Sequence, residues 1–198
     1  MNIIVACDEN YGIGLKNSLP WKLKDDMAHF KKHTTAKPNN IVIMGRNTYE
    51  SLKRALLNRI NFVLSPTLYE KIEQQQQEQQ TQQEQQTQEQ NEISIYKTYN
   101  NFFVFKTLED AHVHALYLSK LYSSEIWVIG GAQLYESVVM NCEIKGFYVT
   151  RIDKVYECDA FLKENTQKLL TNTSWTNTVR MTGDDDVTYT FYEKCIKN

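Results

Sequence analysis

Apolar residues in this chain gather in short runs, several of them stopped by glycine, proline or an acid. Ile3-Ile4-Val5-Ala6-Cys7 opens the chain and ends at Asp8 and Glu9. Ile41-Val42-Ile43-Met44 precedes Gly45, Ile60 to Leu64 precedes Ser65-Pro66, and Ile126 to Ile129 precedes Gly130-Gly131. Phe102 to Phe105 and Gly146 to Thr150 complete the set. Runs of this kind suit strands buried on both faces, as parallel sheets require. Helical spacing lies between them: Leu23, Asp26, Met27 and Phe30 fall at i, i+3, i+4 and i+7. Thr107-Leu108-Glu109-Asp110 has the cap and carboxylate of a helix start, continued by Ala111, Ala115, Leu116 and Leu118. Strands alternating with helices predict an α/β fold with a mixed, mostly parallel central sheet of about eight strands, flanked by helices. The end of the chain changes character. Asp184-Asp185-Asp186 reads as a turn, and Val187 to Cys195 alternates Tyr, Phe and Thr. Two strands are expected there, at least one of them antiparallel.

The length of 198 residues suits a single domain spanning 1–198 with a substantial core. One segment breaks the pattern. Glu73 to Glu92 is almost entirely Gln, Glu and Thr. It cannot bury apolar surface, so a disordered surface loop inserted within the domain is expected over 73–92. A Gln-rich association module is the alternative. Long exposed insertions cost little, because closure entropy grows only logarithmically with length.

A net charge of −2 gives no basic footprint for nucleic acid. No apolar run is long enough to cross a bilayer, and Asp8 and Glu9 arrive too early for a signal peptide. Cys7, Cys142, Cys158 and Cys195 are scattered, with no CxxC pair. Reduced thiols in the cytosol and no zinc site are therefore expected. His112 and His114, two residues apart, point to different sides of a helix and are not expected to share a metal.

Candidate chemistry lies at the ends of these runs. Met44-Gly45-Arg46-Asn47-Thr48 follows one strand and leads into a helix; Gly130-Gly131-Ala132-Gln133-Leu134-Tyr135 follows another and does the same. Glycine lets backbone N–H groups approach a ligand, and the helix start behind it favours anions. Two such turns in one sheet suit a dinucleotide, although a tight strand-to-helix turn explains either one alone. Arg46 and the Ser65 hydroxyl suit an additional phosphate. Asp26 is an acid on an otherwise apolar helix face, where burying a charge requires a partner. It is either a solvent-edge residue beside Asp25 or the lone acid of an apolar pocket, able to hold an N–C–N edge by two parallel hydrogen bonds. Tyr11 to Trp21, with Gly12, Gly14 and Pro20, reads as a mobile loop that could close over a site.

In order and spacing, Val5-Ala6, Gly12-Ile13-Gly14, Leu19-Pro20-Trp21, Asp26, Phe30, Ile43 to Thr48, Arg59, Val63-Leu64-Ser65, Ile129-Gly130-Gly131, Tyr135 and Thr150 resemble the dihydrofolate reductase family. The resemblance covers nearly the whole chain outside the Gln-rich segment. It implies the fold of that family and an NADPH-dependent enzyme. The reaction is reduction of 7,8-dihydrofolate to 5,6,7,8-tetrahydrofolate, with hydride transfer to pterin C6 and protonation at N5. It also implies a small-molecule substrate, with neither nucleic acid nor membrane as partner. The chain is read as a cytoplasmic monomer.

Site roles follow from the same resemblance. Asp26, five residues after Trp21 in the bacterial-like spacing, would hold the pterin N3 and 2-amino group. Thr150 would bond to that acid and to the 2-amino group. Leu19 and Trp21 complete the catalytic set. Ile4, Val5, Ala6, Met27 and Phe30, with Leu52, Leu56 and Ile129, would wall the pterin and aminobenzoyl rings. Arg59 would pair with the substrate α-carboxylate. On the cofactor side, Ala6, Ile13, Gly14, Ser18 and Leu19 would line the nicotinamide site. Gly45, Arg46, Asn47 and Thr48 would form one phosphate segment; Ile129, Gly130, Gly131, Ala132, Gln133, Leu134 and Tyr135 would form the other. Leu64, Ser65 and Pro66 would meet the adenosine end, with Arg46 and Ser65 on the 2′-phosphate. The sequence departs from the pattern at Leu57-Asn58 before Arg59, at Pro66 after Ser65, and at Tyr49 in place of a frequent Trp. A related NADPH-dependent pyrimidine reductase of riboflavin synthesis is the alternative, but it does not need the pair Asp26 and Arg59.

Overall fold

Every long apolar run becomes a strand. In chain order the elements are β1 (Asn2–Cys7), β2 (Gly12–Gly14), α1 (Lys24–Thr34), β3 (Asn40–Gly45), α2 (Arg46–Ser51), β4 (Arg59–Leu64), α3 (Pro66–Gln83), β5 (Tyr96–Tyr99), β6 (Phe102–Phe105), α4 (Leu108–Tyr122), β7 (Ile126–Val128), α5 (Ala132–Asn141), β8 (Gly146–Ile152), β9 (Ala160–Phe161), α6 (Glu164–Asn172), β10 (Asn177–Thr182) and β11 (Thr188–Cys195). The computed structural model describes residues 1–83, 96–172, 174–183 and 187–195. The turn expected at Asp184 to Asp186 lies outside them.

The main sheet has nine strands in the order β10-β11-β8-β1-β7-β3-β4-β6-β5. From β8 to β6 all neighbours are parallel. β11 and β10 close one edge antiparallel, as the alternating end of the chain predicts. β5 closes the other edge as an antiparallel hairpin with β6. This ninth strand is an addition to the expected eight. Its turn is Asn100-Asn101, both at positive φ (49° and 66°), the geometry of a two-residue type I′ hairpin.

Alternation along the buried strands creates two apolar layers. Ile3, Val5, Cys7, Ile41, Ile43 and Phe62 pack on one face with Ala111, Ala115, Leu134, Val138 and Leu170 of α4, α5 and α6. Ile4, Val42, Met44, Val63 and Trp127 pack on the other with Leu68, Tyr69 and Ile72 of α3. Thr107 caps α4 as expected, its Oγ1 accepting from the Asp110 N–H at 3.1 Å.

Two expectations need correction. The Gln-rich segment is not loop from its start, because α3 continues to Gln83. Gln and Glu are good helix formers, and the docked first turns of α3 provide the nucleus they extend. The remainder of the segment lies outside the described residues. The stretch from Tyr11 to Trp21 is likewise not all loop, because it carries the short strand β2. Gly12 and Gly14 pair with Phe161 and Ala160 in the β2–β9 sheet. The buried Asp8 carboxylate accepts from the N–H groups of Asn10, Gly12 and Tyr156 at 2.9, 2.7 and 2.9 Å. Leu15 and Ser18 then bridge around Lys16-Asn17, both at positive φ.

Candidate active site

Asp26 lies in the first turn of α1 and is buried, whereas Asp25 beside it is exposed and accepts a hydrogen bond from the Tyr189 hydroxyl at 2.7 Å. Of the two neighbouring acids Asp26 is thus the buried one, and the solvent-edge reading fits Asp25. Thr150, on β8, donates its Oγ1–H to Asp26 Oδ1 at 2.6 Å. Thr150 pairs in register with Ala6 of β1, which places the acid over the carboxyl-terminal ends of β1 and β8. Burial pushes the Asp26 carboxyl above its ordinary range, and the Thr150 hydrogen bond opposes that shift. The amino-terminal end of α1 also favours the ionised form.

Phe30, Leu52, Leu56 and Ile129 are half-buried and pack against the cluster that contains Ile4. These expected ring-binding residues therefore share one face of the sheet, the face that carries α1. Val5 does not join them. It points to the opposite layer, because neighbouring strand residues alternate faces, and it can reach the site only through its main chain. Met27 is 53 % exposed and stands at the rim rather than in a wall. Leu19 is exposed in the same way, and Ser18 and Gly14 sit along the short hairpin below it. Trp21 is buried against Tyr156, at 5.5 Å between ring centroids. Its indole N–H is buried without a hydrogen-bond partner among the described residues.

The two glycine turns touch. The Gly45 N–H donates to the Gly130 carbonyl at 2.7 Å. A Cβ built on Gly45 would lie 3.6 Å from the Gly131 nitrogen, and one on Gly131 would lie 3.7 Å from Thr48 Oγ1. Gly130 has φ +107°, and a Cβ there would come within 3.1 Å of the Tyr135 ring. The Gly130–Gly131 peptide is cis. Behind the turns, α5 begins at Ala132 with no side-chain cap among the described residues, and α2 begins at Arg46. Asn47 and Gln133 are exposed beside them. Tyr135 donates its hydroxyl to the Ile4 carbonyl at 2.8 Å and is fully enclosed, which raises its pKa. One side chain thus braces both the second glycine turn and the strand below the acid. Leu134 is buried in the core, so it and Tyr135 can meet a cofactor only through the main chain.

At the ends of β3 and β4, Arg46 pairs with Glu50 one helical turn away. Ser65 is buried, and its hydroxyl accepts from the Leu68 N–H at 3.2 Å, capping α3. Pro66 occupies the first helical position, where a missing N–H costs nothing. Ile13 and Leu64 are half-buried on the α5 side of the sheet.

Arg59 opens β4. It donates from Nη1 to Thr34 Oγ1 at 2.8 Å and from Nε to the Leu57 carbonyl at 3.0 Å. Its guanidinium lies 5.8 Å from the Phe30 ring centroid, and burial lowers its pKa. Arg59 lines a cavity of about 320 Å³ with Lys31, Arg54, Leu56 and Leu57. Lys31 and Arg54 were not foreseen. They stand on α1 and in the loop before β4, and only the fold makes them neighbours of Arg59.

A buried acid beside an apolar wall, next to paired glycine turns at adjacent parallel strand ends, defines a nucleotide-dependent α/β enzyme. The sequence model described as dihydrofolate reductase matches residues 1–105 and 94–194. The chain is 31% identical over 167 residues to the dihydrofolate reductase of Drosophila melanogaster, covering 81% of this chain and 77% of that protein. It is 32% identical over 171 residues to that of Pneumocystis carinii, covering 81% and 72%. It also matches a bifunctional dihydrofolate reductase-thymidylate synthase of Paramecium tetraurelia at 32% identity, over 28% of that longer protein. In structure it resembles an Enterococcus faecalis dihydrofolate reductase complexed with NADP(H) and RAB-propyl. The TM-score is 0.67 at 22% identity, covering 100% of this chain and 96% of the other. The chain belongs to the dihydrofolate reductase family. The pyrimidine reductase alternative finds no support among these relatives.

Proposed function

We propose that this chain reduces 7,8-dihydrofolate to 5,6,7,8-tetrahydrofolate with NADPH, using the Asp26 pocket and the paired glycine turns as its two subsites. The observation that carries the reading is the Asp26 carboxylate. It is buried and bonded to Thr150, one turn of α1 before Phe30, which packs in the same layer as Ile4 and Ile129.

Bound NADPH supplies the hydride that reduces pterin C6. Gly45 and Gly131 fit the cofactor, because without side chains the two touching turns leave their main-chain N–H groups open to its phosphates, and Gly130 supplies the φ of +107° the second turn needs. The first N–H groups of α5 offer anion donors, and Arg46 provides the cation for an additional phosphate. Asp26 binds the pterin N3–H and 2-amino group by two parallel charge-assisted bonds. Thr150 orients that carboxylate. Ile4, Phe30, Leu52, Leu56 and Ile129 hold the rings and exclude water, which strengthens every charge interaction inside. Asp26, engaged at N3, polarises the ring, while a water admitted below Leu19 delivers the proton to N5. Arg59 pairs with the α-carboxylate, with Lys31 and Arg54 adding positive charge around the same cavity.

The domain is read as 1–198, with the Gln-rich stretch as an insertion. Monomeric state, cytoplasmic location and absence of nucleic-acid partners belong to the same reading. No described helix is long and apolar enough to cross a membrane. The test is loss of NADPH absorbance on adding dihydrofolate. The expected result is turnover with dihydrofolate, faster with NADPH than with NADH, and blocked by methotrexate. No dihydrofolate-dependent oxidation would overturn the proposal.

A further inference from the structure

Where α1 faces the last strand of the sheet, three potential metal ligands converge. His29 and His33 are four residues apart on the helix, and Glu193 is on β11. Glu193 Oε1 lies 3.7 Å from His29 Nε2 and 3.2 Å from His33 Nε2. All three ligand atoms lie within 4.8 Å of one another. A tetrahedral centre with bonds of about 2.0–2.1 Å sets its ligand atoms about 3.3–3.4 Å apart. The two Glu193 separations bracket that value, and the two histidine rings, one helical turn apart, lie 4.3 Å between centroids.

We propose that His29, His33 and Glu193 form a site for a divalent cation of the zinc class, fastening α1 to the last strand of the sheet. Two independent observations support it. The first is that both histidine Nε2 atoms are buried and turn toward the same carboxylate oxygen, His33 within ion-pair reach at 3.2 Å and His29 beyond hydrogen-bond reach at 3.7 Å. Buried ring nitrogens are ordinarily paired, and one carboxylate oxygen leaves His29 unserved, whereas a cation among the three would take a lone pair from each. The second is that the ligands are already held. Asn177 Nδ2 donates to the other carboxylate oxygen, Glu193 Oε2, at 3.3 Å, which orients the group as an outer-shell donor does. His29 stacks on Phe191 with ring centroids 4.2 Å apart and planes 12° apart, and His33 packs against Trp127 and Tyr148. Lys32 opposes a cation here, whereas Glu193 and, more distantly from His33, Glu125 favour one. The side chains keep 11%, 17% and 23% of their surface exposed, so an ion and one or two waters can reach them from solvent. Two imidazoles and a carboxylate select zinc-class ions over magnesium and calcium, which prefer all-oxygen shells.

The full chain, freed of metal with a chelator, is titrated with Co²⁺ and then with Zn²⁺, and its thermal midpoint is read in parallel. The expected result is one equivalent of Co²⁺ with visible d–d bands, no thiolate charge-transfer band, displacement by Zn²⁺, and a higher midpoint with Zn²⁺. His33→Asn and the near-isosteric Glu193→Gln should each weaken binding by about 10–100-fold or more. His112→Asn, which removes the contact of His112 Nδ1 with Cys142 Sγ at 3.7 Å, should leave binding unchanged. No saturable uptake would overturn the proposal. So would equal affinity in Glu193→Gln, or a thiolate band lost in His112→Asn, which would assign the ion to Cys142. Glu193→Gln preserves side-chain shape, so it decides the matter even should the histidine variant fail to fold.

Discussion

Replacing Asp26 by Asn separates the charge of the pocket acid from its shape. The amide retains an oxygen that can accept from Thr150 Oγ1, now 2.6 Å from Oδ1. It loses the negative charge and one of the two acceptors facing the pterin. Hydrogen bonds to a charged partner contribute about 1.5–3 kcal/mol each, so weakening two of them removes about 3–6 kcal/mol of transition-state stabilisation. At about 1.36 kcal/mol per decade, the expected loss in kcat/KM is on the order of 100- to 10,000-fold. The glycine turns do not use Asp26, so NADPH affinity, read from quenching of protein fluorescence, should stay within about threefold, the error of such comparisons. Stability should move the other way. Burial raises the Asp26 pKa in the folded protein, so the native state holds the proton to higher pH than the unfolded chain does. Between the ordinary carboxylate value and the raised one, native stability therefore falls as pH rises. Asn has no such cost. The variant should melt above the wild type at neutral pH, and the difference should vanish at pH values below the ordinary carboxylate range. Unchanged kcat/KM, or a parallel collapse of NADPH binding, would refute the assignment of Asp26 to the pterin.

Three further substitutions test other parts of the site. Arg59→Ala should raise KM for dihydrofolate by about 30- to 1,000-fold, the about 2–4 kcal/mol lost when one member of a desolvated pair is removed; an unchanged KM would place the substrate carboxylate elsewhere. Thr150→Val removes the one hydrogen bond that lowers the Asp26 pKa, so the midpoint of the pH–kcat/KM profile should shift to higher pH, and a shift to lower pH would contradict the role of Thr150. Gly130→Ala puts a Cβ 3.1 Å from the Tyr135 ring at φ +107°. It should cost about 1–3 kcal/mol in a denaturant melt, with weakened NADPH binding, and wild-type behaviour in both would show that the turn tolerates a side chain.

The sequence made the layers of the fold legible because parallel strands buried on both faces must be continuously apolar. Ile41 to Met44 and Ile126 to Ile129 could be little else. The same continuity hid which face each residue takes. A run with no polar member has no phase, and so Val5 was grouped with Ile4 although the two point into opposite layers. The edge strand β5 was missed because Tyr96-Lys97-Thr98-Tyr99 is half polar and follows Gln-rich chain, although Asn100-Asn101 before Phe102 carries a hairpin signal. The acid of the pocket was visible as a misplaced charge on an apolar stripe, and only the family pattern raised it above its neighbour Asp25. Lys31 and Arg54 at the tail cavity, the Tyr135 bond to Ile4, and the approach of Glu193 to α1 depend on strand order, which no local spacing encodes.

The central claim is that the buried carboxylate of α1 receives the pterin edge beside the paired glycine turns. A crystal structure of the chain with folate and NADP⁺ tests it most directly. The account predicts both Asp26 oxygens about 2.7–2.9 Å from pterin N3 and the 2-amino nitrogen, the separation of charge-assisted bonds, with the cofactor phosphates on Gly45 and Gly131. A pterin bound elsewhere, with Asp26 contacting only Thr150, would contradict it.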